Sequence, residues 1–239
     1  MVPKLTSRCY VVTGASGTLG SALIKLIKAG DEEAPVLEVH RCISVQNSDP
    51  SKICIDLARL NLSALNSALT FIEPYDTVVL VHLAAEHNTD LDVHEIFNVN
   101  YFSVVKLCEI IEAFCLKTQS TLQCVFALSG TAFSPEVQKP GYSASKAALY
   151  NYVKYRLKIK SFNSITCGIF LGPFKSDLWD ENRMTKWKPV TQTFRRCFSA
   201  SSKAEIIFRK IEKKHSGLYI HPTVFISIAV SIRQFLIRR

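Results

Sequence analysis

The chain has 239 residues, of which 48% are hydrophobic and 21% are charged. This balance is ordinary for a globular protein, and the length fits one α/β domain. The formal net charge is +9, which favours anionic partners such as phosphates or acidic substrates. The sequence contains no RNA-binding motif, zinc finger or arginine-rich arm, so nucleic acid is not an expected partner.

Eight cysteines and six histidines bear on the compartment and on metal binding. No two cysteines have CxxC spacing, and several lie inside apolar runs, as Cys54 and Cys124 do. We interpret them as small buried side chains in a reducing compartment, which predicts a cytoplasmic protein. The histidines show no metal-ligand spacing, so no metal is expected. No stretch reaches the roughly 18 apolar residues that a membrane-spanning helix needs.

Apolar segments typical of strands alternate with amphipathic segments typical of helices along the chain. The predicted strands are 9–13, 36–40, 53–55, 78–82, 122–128, 165–170 and 218–220. The predicted helices are 17–29, 63–71, 94–116, 142–161 and 204–214. This order predicts one α/β domain over residues 1–239, a doubly wound parallel sheet with helices on both faces.

Two segments fall outside this alternation. The stretch 173–201 follows the sixth strand, where ligands of such sheets bind, so it predicts a substrate lid. A solvated loop packed by Trp179 and Trp187 is equally consistent with its sequence. The C-terminal tail 223–239 is hydrophobic and then basic. We favour packing of this tail on a partner subunit or on the substrate pocket over contact with a membrane surface.

A glycine-rich turn, Thr-Gly-Ala-Ser-Gly-Thr-Leu-Gly at 13–20, joins the first strand to the first helix. Gly14 permits a tight turn, Gly17 lets the backbone approach a pyrophosphate, and Gly20 lets the helix pack closely on the strand. The helix N-terminus adds amide donors and a partial positive charge. The segment therefore predicts a dinucleotide site of Rossmann type, with a plain strand-to-helix turn as the alternative. The expected contacts are Gly14, Ser16, Gly17, Thr18, Leu19 and Gly20.

The end of the second strand indicates which nicotinamide dinucleotide is bound. In NAD-binding proteins this strand usually ends in Asp or Glu, which binds the ribose diol. Here it ends in His40-Arg41, and Glu38 lies too early in the strand. An arginine suits a 2′-phosphate, so Arg41 predicts NADP; the alternative is NAD, with Arg41 in a solvated loop.

Several segments resemble the short-chain dehydrogenase/reductase family, known as SDR. Tyr142 and Lys146 lie in Gly-Tyr-Ser-Ala-Ser-Lys, which looks like the family's YxxxK active-site motif. Ser129 precedes Tyr142 by thirteen residues, which is the spacing of the family's catalytic serine. Asn100 looks like the family's fourth catalytic residue. The resemblance runs from about residue 8 to residue 178, with the motifs in the expected order.

The resemblance also implies contacts with the dinucleotide beyond the glycine turn. Asp56 and the next residue look like the pair that meets the adenine. The segment 82–85, His-Leu-Ala-Ala, looks like the extended branch of the family, and 171–176 resembles its PGxxxT segment. A simple loop turn around Pro173 is the alternative for the last of these. The implied contacts are Asp56, Leu57, Ala84, Ala85, Tyr142, Lys146, Gly172, Phe174 and Ser176.

These residue types suit hydride transfer, which builds negative charge on a carbonyl oxygen that then needs a proton and donors. A free tyrosine has a pKa near ~10, and a nearby cation favours its phenolate. Lys146 lies four residues after Tyr142, so both side chains share one helix face. Ser129, at the end of a strand, is expected to hydrogen-bond the substrate oxygen. By resemblance, Asn100 holds a water that relays protons to Lys146.

The sequence thus predicts an NADP(H)-dependent oxidoreductase that transfers a hydride between the nicotinamide and a carbonyl or alcohol substrate, with Tyr142 as acid/base. A second interpretation is an epimerase- or dehydratase-like enzyme for a nucleotide-linked substrate, drawn from the glycine spacing and the segment 82–85. A third is a non-catalytic nucleotide-binding sensor. Family members often pair through the helices corresponding to 94–116 and 142–161, which implies a homodimer or homotetramer.

Overall fold

The computed structural model describes residues 7–40, 51–59, 63–69, 75–159, 163–174 and 199–225. Within these ranges the strands are β1 Arg8–Thr13, β2 Val36–His40, β3 Lys52–Cys54, β4 Thr77–His82, β5 Thr121–Leu128, β6 Ser164–Phe170 and β7 Gly217–Ile220. The helices there are α1 Thr18–Gly30, α2 Ser63–Leu69, α3 Val93–Phe97, α4 Ser103–Thr118, α5 Pro140–Lys158 and α6 Ala200–Glu212. The predicted strands and helices are found with their ends shifted by a few residues, except that the predicted helix 94–116 is interrupted.

All of these strands pair in parallel, in the order β3-β2-β1-β4-β5-β6-β7. The chain first adds β2 and β3 to one side of β1 and then crosses over to add β4 to β7 on the other side. The strand order therefore changes direction between β1 and β4, where the carboxyl ends of the strands border a crevice. This topology confirms the predicted doubly wound α/β sheet.

Two hydrophobic clusters, one on each face of the sheet, hold the layers together. Successive strand residues point to opposite faces, so Val78 and Leu80 belong to one cluster, whereas Val79 and Val81 belong to the other. Residues of α4 and α5 complete the first cluster, and residues of α1 and α6 complete the second. The central strands are thus covered on both faces, which explains their continuous apolar sequence.

One helical segment departs from the prediction of a single helix over 94–116. Asn98–Phe102 form a π-helical turn between α3 and α4, and the Ser103 N–H donates to the Asn98 carbonyl. A π-turn inserts a residue into a helix and so rotates the side chains that follow it. Asn100 lies in this turn and is fully buried. Apolar periodicity does not reveal such an insertion, because it changes the register by one residue only.

Some sequence predictions concern residues outside the described ranges, namely Arg41, Ser176 and most of the segments 173–201 and 223–239. They stay predictions. In the part of the chain that the structure describes, no helix has both the length and the apolar character needed to cross a bilayer.

Candidate active site

The glycine turn lies at the carboxyl end of β1, at the switch point of the sheet. Gly14 has a φ of +70°, and a Cβ on it would lie 2.8 Å from the Ala84 backbone nitrogen. A Cβ on Gly20 would lie only 2.2 Å from the Gly14 carbonyl oxygen. Ser16 and Gly17, at the rim of the turn, are exposed, and α1 begins directly after them. This open rim above a tightly folded turn fits a dinucleotide pyrophosphate at the amino end of α1.

Thr13, the last residue of β1, connects the glycine turn to the segment after β4. Its hydroxyl oxygen accepts the N–H groups of Leu83 and Ala84, both at 3.2 Å. The same oxygen lies 2.8 Å from Nδ1 of His82, the last residue of β4. The segment after β4 is therefore held against the glycine turn, and its contact with the cofactor stays a prediction. Ala85, the next implied contact, is exposed.

Ser129, Tyr142 and Lys146 are brought together at the carboxyl end of β5. Ser129 directly follows β5, and its side chain lies near enough to the Tyr142 phenol to lower the pKa of that phenol by hydrogen bonding. Lys146 lies one turn further along α5, with its Nζ 5.8 Å from the centroid of the Tyr142 ring. The Thr131 hydroxyl donates to Ser129 Oγ at 2.9 Å. The His87 ring meets the Tyr142 ring edge-on, with the centroids 6.5 Å apart.

Burial governs the protonation of the tyrosine and the lysine. It raises the pKa of Tyr142 above the ordinary value of 10.0, and the hydrogen bond with Ser129 opposes this rise. Burial also lowers the pKa of Lys146 to about 8. The sequence predicts that the charge of Lys146 favours the phenolate of Tyr142. In the structure, burial has the largest effect on the pKa of Tyr142, and it favours the neutral phenol. The site therefore presents a phenol that keeps its proton at neutral pH, which suits it to donate that proton.

The Asn100 side chain is bound within the protein through both ends of its amide. Its Oδ1 accepts the Glu86 N–H at 2.8 Å, and its Nδ2 donates to the Glu86 carbonyl at 2.7 Å and to Ser145 Oγ at 2.9 Å. The Glu86 carboxylate in turn accepts the N–H groups of His87 and Asn88. Asn100 therefore fixes the segment after β4 to helix α5. The water-relay role implied by the resemblance stays a prediction.

Asp56 and Leu57, the two residues expected at the adenine, differ in the contacts of their side chains. The Asp56 carboxylate accepts the Ala58 N–H at 3.1 Å and forms a 3.5 Å ion pair with Arg59. Leu57 packs into the hydrophobic cluster of α4 and α5. The Leu57 side chain is therefore a core residue, and a contact with the adenine would have to come from its backbone.

The implied contacts after β6 lie partly within the described residues. Gly172 has a φ of +67°, so the chain turns sharply as it leaves the sheet. Phe174 is partly buried and packs against the cluster of α1 and α6. Ser176 lies outside the described residues, so its implied contact stays a prediction.

His82 is a further residue of the site, known from the sequence only as the first position of the segment 82–85. It is fully buried. Thr13 Oγ already accepts two backbone N–H groups, so its own hydrogen goes to His82 Nδ1, which places the ring proton on Nε2. Within the described ranges, Nε2 has no hydrogen-bond partner. Burial and, to a smaller extent, the charge of Lys146 lower the pKa of His82 to about 3.

We expect acid to destabilise the protein through His82. Its pKa is 6.5 as an ordinary side chain and about 3 in the fold, so the unfolded chain binds more protons between these values. The stability contribution is complete above this window and is lost as pH falls through it, by about 3 kcal/mol near pH ~4. His82→Asn should flatten the slope of the unfolding free energy against pH, measured by urea denaturation.

The control for this prediction is His94→Asn, at an exposed histidine of α3. It should keep the slope of the wild-type protein. A slope in His82→Asn that equals the slope of the wild type would contradict the assigned protonation state.

The doubly wound sheet and its glycine turn define a Rossmann-fold protein. The profile of the family described as short chain dehydrogenase matches residues 78–186, a range that includes Asn100, Ser129, Tyr142 and Lys146. Over these residues, which are a little under half of its length, the chain is similar to the short-chain dehydrogenase/reductase family.

One curated relative and many solved structures are similar to this chain. The NADPH-dependent 1-acyldihydroxyacetone phosphate reductase of Saccharomyces cerevisiae is 31% identical over 94 residues, which are 39% of this chain and 31% of that protein. A short chain dehydrogenase from Bacillus anthracis matches with a TM-score of 0.74 at 14% identity, over 91% of this chain and 95% of that one. A 4-hydroxyisoleucine dehydrogenase complexed with NADH and succinate gives a TM-score of 0.72 at 17% identity, over 88% and 96%. At these identities the solved structures show the shared fold alone.

Proposed function

We propose that this protein is an NADP(H)-dependent oxidoreductase that interconverts a carbonyl compound and an alcohol, with Tyr142 as acid/base. The observation that carries the proposal is the convergence of Ser129, Tyr142 and Lys146 at the carboxyl end of β5, one strand from the switch point of the sheet. The charge of Lys146 acts on His82, whose ring contacts the residue immediately before the glycine turn. The catalytic group therefore adjoins the cradle that fits a dinucleotide.

Each side chain has a defined task in carbonyl reduction. The Tyr142 phenol donates its proton to the carbonyl oxygen, and the Ser129 hydroxyl hydrogen-bonds the same oxygen as its negative charge builds. The reduced nicotinamide, when bound, supplies the hydride. The Lys146 ammonium stabilises the phenolate that remains after proton donation. Alcohol oxidation uses the same groups, with the proton moving from the alcohol to the phenolate.

The end of β2 supports NADP as the cofactor. The strand ends at His40, whose Nε2 lies 2.9 Å from the Glu38 carboxylate. Glu38 is thus engaged within the strand, and no acidic residue stands at the strand end, where NAD-binding proteins hold the ribose diol. Arg41 follows directly and suits a 2′-phosphate. The yeast relative is NADPH-dependent by name.

We expect NADPH to raise the melting temperature of the full chain more than NADH does. Arg41→Ala should abolish the difference by weakening NADPH binding roughly ten-fold or more, since it removes a charge-assisted contact with the 2′-phosphate. NADH binding should stay the same. Thermal shifts and titration calorimetry with both dinucleotides measure this. Arg209→Ala, at an exposed arginine of α6, is the control and should keep the NADPH preference. Equal affinities of the wild-type protein for NADPH and NADH would contradict the proposal that NADP is the cofactor.

Activity is tested by following NADPH oxidation with a panel of carbonyl compounds that includes 1-acyldihydroxyacetone phosphate, the substrate named for the yeast relative. Net oxidation of NADPH separates this function from epimerase or dehydratase chemistry, which regenerates its cofactor. Tight NADPH binding without turnover of any compound would favour a nucleotide-binding sensor.

We further propose a cytoplasmic location and assembly into a homodimer or homotetramer through α4 and α5.

A further inference from the structure

A buried polar cluster contacts the turn that follows β6. It consists of Lys203 on α6 and of His221 and Thr223 in the segment after β7, which are 0%, 7% and 1% exposed. Lysine and histidine are buried this fully only when their polar atoms are hydrogen-bonded, because an unpaired buried polar group lowers the stability of the fold. The polar atoms of these three side chains must therefore be hydrogen-bonded within the protein.

The hydrogen bonds of the cluster define its protonation. Lys203 Nζ donates to Thr223 Oγ1 at 2.7 Å and to His221 Nδ1 at 2.9 Å. The Thr223 hydroxyl has two acceptors in reach, His221 Nδ1 at 2.7 Å and the Leu171 carbonyl at 3.0 Å. Since Nδ1 is an acceptor, the ring is neutral, with its proton on Nε2. Burial and the charge of Lys203 lower the pKa of His221 to about 4, in agreement with a neutral ring.

The cluster holds the segment after β7 against the turn after β6. The His221 N–H donates to the Phe170 carbonyl at 2.8 Å, and Thr223 Oγ1 bonds to the Leu171 carbonyl. A Cβ on Gly172 would lie 2.4 Å from Thr223 Oγ1, so the two segments are in direct contact. Two consecutive carbonyls at the end of β6 are therefore fixed by this cluster.

The position of this turn matters because loops at the carboxyl ends of the strands form the ligand site of a doubly wound sheet. A well-packed apolar side chain would fill the space of Lys203 without the cost of burying a charge, whereas an ammonium fixes its partners in one geometry. We propose that Lys203, His221 and Thr223 are positioning residues that hold the turn at Leu171–Gly172 against the nicotinamide half of the dinucleotide. This inference rests on the proposed function.

The test compares two ligands on the full chain. By this proposal the nicotinamide half of NADPH meets the turn after β6, whereas the 2′-phosphorylated form of ADP-ribose lacks the nicotinamide and needs only the glycine turn and the end of β2. Thr223→Val keeps the side-chain shape but removes the hydroxyl. It should raise the Kd of NADPH at least about five-fold and leave the Kd of the fragment within about two-fold, since the hydroxyl loses its bond from the Lys203 ammonium and its own bond within the cluster. Thr223→Ser, which keeps the hydroxyl, should restore NADPH binding.

The Kd values of both ligands, measured by calorimetric titration, distinguish the possible outcomes. Unchanged NADPH affinity in Thr223→Val overturns the inference, and so does equal weakening of both ligands, which indicates general loosening of the fold. If this variant does not fold, His221→Leu removes the Nδ1 acceptor and is measured in the same way, with the same selective loss expected. Failure of the wild-type chain to bind either ligand would reject the proposed function and this inference with it.

Discussion

Replacing Tyr142 by Phe is expected to lower kcat for carbonyl reduction by about 10³-fold, the usual contribution of a positioned proton donor. Phenylalanine keeps the ring but removes the hydroxyl that bonds to Ser129 and carries the proton. The Kd of NADPH should change by less than about five-fold, because the glycine turn and the amino end of α1, which hold the pyrophosphate, are untouched. Steady-state NADPH oxidation at saturating substrate gives kcat, and titration gives Kd.

The control for this variant is Tyr155→Phe, which makes the same change at an exposed position of the same helix. It should leave both kcat and Kd at the wild-type values. If Tyr142→Phe kept more than about a tenth of the wild-type kcat, the phenol would not be the proton donor. Another group would then have to supply the proton to the carbonyl oxygen.

The features that could be predicted from the sequence are those that depend on neighbouring residues. The strand, glycine turn and helix from residue 8 to residue 30 were readable because the tight turn and the helix packing both require glycine at fixed spacing. Tyr142 and Lys146 are one helical turn apart, so any helix over this segment puts them on one face. Continuous apolar runs likewise marked the central strands, which are covered on both faces.

The features that could not be predicted depend on contacts between distant segments. Thr13 and His82 are 69 residues apart, and Thr223 and Leu171 are 52 residues apart, so neither contact leaves a local pattern. The same holds for the protonation of Tyr142. The sequence shows only the nearby charge of Lys146, whereas the pKa of the phenol depends more on burial by the rest of the fold.

Substituting Gly20→Ala is expected to remove dinucleotide binding and to lower the free energy of unfolding by about 3 kcal/mol, at the upper end of the cost of overpacking. The added Cβ would lie 2.2 Å from the Gly14 carbonyl oxygen and 2.9 Å from the Ala15 Cα. Both atoms belong to the backbone of the turn and cannot rotate away as a side chain does. Helix α1 must therefore move away from the turn, which separates its amino end from the site of the pyrophosphate.

The same helix offers a matched control in Gly30→Ala, because Gly30 is its last residue. A Cβ there would meet the end of the Phe208 ring at 3.2 Å, a side chain that is free to adjust. Alanine is also the better helix former by about 1 kcal/mol, so this variant should keep its stability and its Kd for NADPH. Urea denaturation and NADPH titration of both variants make the comparison. Since the two substitutions add the same methyl group, NADPH binding by Gly20→Ala at the level of Gly30→Ala would mean that the close packing of α1 on the glycine turn does not form the dinucleotide site.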